Sequence, residues 1–187
     1  MITKNLMQHL SGCFYMDTGG PIGYFAYITD ITGTEYKQQS WNAANNAFRI
    51  LPSTVLSGNT PWFTTLDVPS QSDTAIGLGI FVGTGIKPAT NDDYALESPI
   101  SYSDSGLTLI SHTIQAKPDK DTVATYTITV KNNAAEELNI SEIGLFTQVG
   151  HEDVTKCLKF LCARDTFEPV TLQPGETRAF TMTIGLE

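Results

Sequence analysis

Four runs between Ala124 and Ile184 decide how this chain folds: ATYTITVKN (124–132), LNISEIGLF (138–146), CLKFLCARDTFEPVTLQPGET (157–177) and RAFTMTI (178–184). Ala124, Tyr126, Ile128 and Val130 alternate with Thr125, Thr127, Thr129 and Lys131, the period of two that a half-buried strand imposes because successive side chains leave on opposite faces. Phe180, Met182 and Ile184 repeat the pattern against Thr181 and Thr183. Between two such runs stands Pro174-Gly175. Proline presets φ for the second residue of a turn, and glycine accepts the positive φ that a type II turn needs at the third, so a hairpin is expected there.

Working towards the N-terminus, LTLISHTIQAK (107–117) places Ile110, His112, Ile114 and Ala116 on one face of a strand, and Pro118-Asp119 marks the turn after it. AIGLGIFVGTG (75–85) sets Ile76, Leu78, Ile80 and Val82 on one face and Gly77, Gly79, Phe81 and Gly83 on the other. Glycines in a strand leave bare backbone that another segment or a bulky side chain can approach closely. KPATNDDYALESPI (87–100) predicts a loop enclosing one helical turn, capped by Asn91 or Asp92 and ended by Pro99.

The first third is less regular. KNLMQHL (4–10) fits a short helix or a strand, GGPIG (19–23) a loop, and YFAYITDITG (24–33) a strand ending in a turn at Thr32-Gly33. SWNAANNAFRILPSTVL (40–56) predicts irregular structure with one or two strands, one through Phe48, Ile50 and Leu51. Strands at intervals of about ten residues with little helical period indicate an all-β fold, an antiparallel β-sandwich of immunoglobulin-like or jelly-roll-like type. Residues 75–187 form the sandwich domain, and residues 1–74 an arm or additional strands packed on it.

At 187 residues and net charge −9, the chain suits one domain and repels polyphosphate, so no nucleic acid is expected as a partner. No apolar run approaches the roughly 18 residues that cross a bilayer, and no secretion signal is evident at the start, so no membrane is expected either. Cys13, Cys157 and Cys162 are an odd set at irregular spacing, which suits buried free thiols in a reducing compartment.

Candidate chemistry is sparse. Cys157 and Cys162 lie five apart on one strand, which sends their side chains to opposite faces and argues against a shared metal. His112 lies on an apolar face, where a packed histidine is the ordinary case; His151-Glu152-Asp153 suits a solvated turn, and His9 has no companion. Asn91-Asp92-Asp93 lacks the spaced oxygens of a calcium loop, and GTG (83–85) lacks the residues that complete a phosphate cradle. No catalytic residue, cofactor site or metal site is assigned, and an enzyme is not expected. Arg164 stands in a strand otherwise made of Leu158, Phe160, Leu161 and Ala163, where a charge is costly to bury unless paired in fork geometry. Arg164 and Asp165 are therefore candidates for a structural ion pair or backbone clamp. Trp41, Trp62 and Phe63 are candidates for an interface or a sugar-binding platform, with ordinary burial as the plain alternative.

Taken together, GLGIFVGTG, NDDYALESPI, NISEIGLF and LCARDTFEPVTLQPGET resemble a family of structural proteins of tailed bacteriophages, over roughly Ala75 to Ile184. Cys162 stands where the family's pattern has an aliphatic residue and Thr166 where it has valine, both packing substitutions. The resemblance implies a β-sandwich virion component assembled in the host cytoplasm. The acidic charge, the absence of a site and the threonine-rich strands agree with an auxiliary or decoration protein of the capsid that binds the major capsid protein, and nearly as well with a tail, neck or fibre-base subunit; a carbohydrate-binding adsorption module is a further alternative. A homo-oligomer is expected, since repeated weak contacts on a symmetric lattice gain avidity.

Overall fold

The structure, a computed structural model, describes residues 1–8, 25–42, 47–51, 79–103, 106–116, 123–149 and 158–185. Among them are nine strands: β1 (Phe25–Thr29), β2 (Glu35–Asn42), β3 (Ala47–Leu51), β4 (Gly79–Gly83), β5 (Leu107–Ala116), β6 (Val123–Asn132), β7 (Leu138–Val149), β8 (Leu158–Leu172) and β9 (Thr177–Gly185). They form three antiparallel sheets in the orders β1-β2-β3, β4-β7-β8 and β5-β6-β9. Leu145, Ile143 and Val82 from one sheet share a single apolar core with Tyr126, Ile128, Phe180 and Met182 from another. The rings of Phe167 on β8 and Phe180 on β9 lie 6.1 Å apart across them. The chain is all-β, two three-stranded sheets over one core with a third meander attached.

The turn at Pro174-Gly175 forms as its residues demand, with Gly175 at φ 79° and Glu176 N–H donating to Gln173 O at 2.9 Å. It does not make a hairpin, however, because β8 pairs with β7 while β9 pairs with β6. The turn instead carries the chain from one sheet to the other. Buried Asn132, at the end of β6, braces this crossing: its backbone bonds Gly175 and Glu176, and its side-chain amide donates to Leu172 O and Glu136 O. Its Oδ1 also accepts from Ala134 N–H at 2.9 Å, which shapes the β6–β7 crossing.

The expected common face of Ile110 and His112 is corrected by a bulge. The β5–β6 register shifts between Leu109 and Ser111, so Leu107 and Leu109 are buried, Ile110 is 49 % exposed, and His112 and Ile114 stand opposite Ile128 and Tyr126. One extra residue reverses the facing of everything after it. The expected helical turn in residues 87–100 is also absent. Asp93, rather than Asn91 or Asp92, closes a turn there, accepting from Thr90 N–H at 2.8 Å and from the Thr90 hydroxyl at 2.9 Å.

The chain start is tied into the fold. Met1 and Arg164 exchange backbone bonds, Ile2 bridges Ala163, and Thr3 N–H donates to Cys162 O, so residues 1–3 lie along the edge of β8. Residues 4–8 are helical. The Asn5 amide then closes on Thr29 N–H and O at 2.9 and 2.7 Å, joining the β1–β3 meander to this edge. Buried Ile28 carries the contact into the core.

Candidate functional site

Strand β7 is the centre of its sheet, and Ile140 through Phe146 are buried without interruption. A strand with only one covered face would alternate, so something must cover the second face. The cover is the segment 84–98. Register places Gly83 opposite Glu142 and Arg164 opposite Gly144, so these four positions share the covered face.

Glu142 is 0 % exposed and Arg164 2 % exposed. The Glu142 carboxylate accepts from Gly85 N–H at 3.1 Å and Ser98 N–H at 2.8 Å on Oε1, and from Glu97 N–H at 3.0 Å on Oε2. Arg164 Nε and Nη2 approach the same Oε2 at 3.0 and 2.9 Å. The guanidinium continues outward, Nη1 to Asp93 Oδ2 at 2.7 Å and Nη2 to Lys87 O at 3.1 Å. Ser141 hydroxyl donates to Gly85 O at 2.9 Å. Both ends of the covering segment and its middle are thus fastened to one buried charge pair.

The glycines are required by this geometry. A Cβ on Gly83 would overlap Glu142 Oε1 and Ser98 O, and one on Gly85 would lie 2.6 Å from Glu142 Oε1. A Cβ on Gly144 would meet Leu96 Cδ2 at 2.8 Å, so its absence forms the notch into which Leu96 is packed. Burial works against ionisation of Asp93, but the bonds from Thr90 and Arg164 outweigh it and hold the carboxyl below its usual range. Burial likewise works against the Arg164 charge and is outweighed by Asp93 and Glu142.

Asp165 is not the partner of Arg164. It is exposed and its Oδ1 accepts Thr166 N–H at 3.0 Å, because neighbours along a strand leave on opposite faces. Glu142 and Asp93 take the place expected for it; a lone glutamate inside NISEIGLF was the signal for the first. Cys162 is a buried free thiol whose pKa burial pushes up to about 12, which makes it a core residue and a poor nucleophile. Asp92 pairs with Lys4 at 2.8 Å on the surface. Trp41 lies in β2, but its side chain, the side chain of His112, and Trp62, Phe63, His9, Cys13, Cys157 and His151-Glu152-Asp153 lie outside the described residues. Among the described residues no cluster of three His, Cys, Asp or Glu is placed to hold a metal ion.

No family model, curated protein or solved structure matches the chain. What the arrangement can do therefore follows from its own chemistry. Glu142 and Arg164 point their polar atoms at internal partners in a dry setting, where a satisfied pair fixes conformation and a missing partner is costly. Outside, the pinned segment presents Ile86, 75 % exposed, and Tyr94, 44 % exposed. The clamp holds a surface loop in one shape.

Proposed function

We propose that the protein is a non-enzymatic structural component of a tailed-bacteriophage virion, an auxiliary or decoration protein of the capsid that binds neighbouring subunits. One observation carries the reading. The segments that resemble the phage family are scattered over some eighty residues of sequence, yet Gly83 and Gly85, Asp93 and Leu96, Glu142 and Gly144, and Arg164 all meet in one clamp. A motif set that converges on a shape-holding core, with Ile86 and Tyr94 exposed on the segment above it, suits a module that works by contact. Preorganised contact surfaces lose less entropy on binding, and many copies on a lattice add avidity.

Quantitative mass spectrometry of purified particles tests this. Hundreds of copies per particle support a place on the capsid, and about a dozen support the neck or tail. Absence from particles removes the virion role.

A further inference from the structure

Sheet β5-β6-β9 ends at β9, whose far edge carries no strand among the described residues. The edges of the β4-β7-β8 sheet are covered in part, by residues 98–100 against the end of β4 and by residues 1–3 against Cys162–Arg164 of β8. Apart from the single charge of Arg178, β9 lacks the usual protections of an edge, with no proline and no register shift against β6. Its free edge lines a cleft of about 600 Å³ that opens into the core, with Ile143, Ala163, Phe167 and Val170 among its lining and Met1 and Ile2 on the opposite bank.

From this edge and cleft we infer that the protein forms a two-fold dimer by antiparallel pairing of β9 with β9 of a second copy, closing the open side of both sandwiches. The strand is self-complementary about Thr181. In that register Phe180 stands opposite the second copy's Met182 in the middle of the core face, Arg178 opposite Ile184 at its ends, and Ala179 opposite Thr183 on the outer face, so no like charges meet.

Charge does not oppose a copy of the same chain at this place. A chain of net charge −9 repels its own kind over most of its surface, but the cleft is lined by one acidic and one basic side chain, Asp165 and Arg178. Size also fits. A nine-residue strand is about 30 Å long, and two sheets about 10 Å apart with their outer side chains are about 20 Å thick. Each copy would cover about 600 Å², a total of about 1,200 Å², at the lower end of the range for specific interfaces. Pairing would join the two outer sheets into one of six strands, β5-β6-β9-β9-β6-β5.

This deepens the assembly reading and rests on it for its biological setting, yet the two fail separately: mass in solution decides the dimer, and copy number in particles decides the virion role. The test is sedimentation equilibrium on the full chain from about 1 to 100 µM. The expected species has twice the mass of the 20.4 kDa chain. Thr181 is exposed, so Thr181→Lys and Thr181→Glu leave the fold, read by circular dichroism, in place. Each alone sets like charges opposite one another and weakens the dimer at least about tenfold. An equimolar mixture of the two restores it. Thr113→Lys, on the same exposed face but in β5, leaves it unchanged. A monomer throughout overturns the inference and leaves the cleft to a strand of another protein. A dimer indifferent to Thr181→Lys, or one that Thr113→Lys disrupts equally, overturns it as well.

Discussion

Replacing Glu142 by glutamine keeps the side chain's shape and removes its charge, which isolates what the clamp contributes. In the native site one oxygen receives Gly85 and Ser98 N–H and the other receives Glu97 N–H and both Arg164 nitrogens. A glutamine must turn its NH2 towards one of these sets, so donor faces donor whichever way it lies. Arg164, 2 % exposed, keeps only Asp93 as a charged partner within hydrogen-bonding distance. Breaking a buried pair costs about 3–5 kcal/mol, and the surviving Asp93 bond places the expected loss at about 3 kcal/mol. With a urea slope of about 1–3 kcal/mol per molar, the unfolding midpoint falls by about 1–3 M.

The double substitution Arg164→Met with Glu142→Leu sharpens the test. An isolated buried ion pair is often replaced by apolar residues without loss. Here the replacement strands the N–H groups of Gly85, Glu97 and Ser98, at about 1–3 kcal/mol for each donor left unsatisfied. The double variant is therefore expected to be less stable than the native chain by at least about 3 kcal/mol. A Glu142→Gln variant within about 1 kcal/mol of native, or a double variant that is more stable than native, would refute the reasoning.

Other consequences are narrower. Gly144→Ala pushes a methyl to 2.8 Å from Leu96 Cδ2 and is expected to cost about 1–3 kcal/mol by thermal unfolding, with partial recovery when Leu96→Ala is added. Gly175→Ala meets nothing within 4 Å, so its cost, about 1–2 kcal/mol, comes from the positive φ alone, and Gly175→Asn is expected to cost less. Because the folded-state pKa of Asp93 is lowered, its contribution is complete above the ordinary value of 3.8 and is lost as pH falls through the folded-state value. Acid titration of stability should accordingly be steeper below pH 3.8 for the native chain than for Asp93→Asn, and equal slopes would count against the Asp93–Arg164 bond.

The strands that carry alternation were legible because one face of each meets the core. β6 and β9 read directly from Tyr126, Ile128, Val130, Phe180 and Met182. β2, EYKQQSWN, was not legible, since it carries almost no apolar alternation and becomes a strand through pairing with β1 and β3. Turn residues specified the backbone at Gly175 but could not say that the following strand joins the other sheet, because that depends on which distant partner offers a free edge. In the same way Arg164 was recognisable as a charge that needs a partner. Which partner was hidden, because Glu142 and Asp93 lie 22 and 71 residues away and are brought near only by the β7–β8 register and the 84–98 cover. The bulge at Ile110 left one trace, the switch of apolar residues from odd positions (Leu107, Leu109) to even ones (Ile114, Ala116), and the apolar Ile110 at the junction masked it by extending the even set.

Amide hydrogen exchange at Gly85, Glu97 and Ser98 tests the closed clamp most directly, because their N–H groups end on the buried Glu142 carboxylate and on no strand partner. All three are expected to exchange only with global unfolding in the native chain, and together to become fast in Arg164→Met while the amides of β6 stay protected. Exchange within seconds in the native chain, or three unrelated rates, would contradict it.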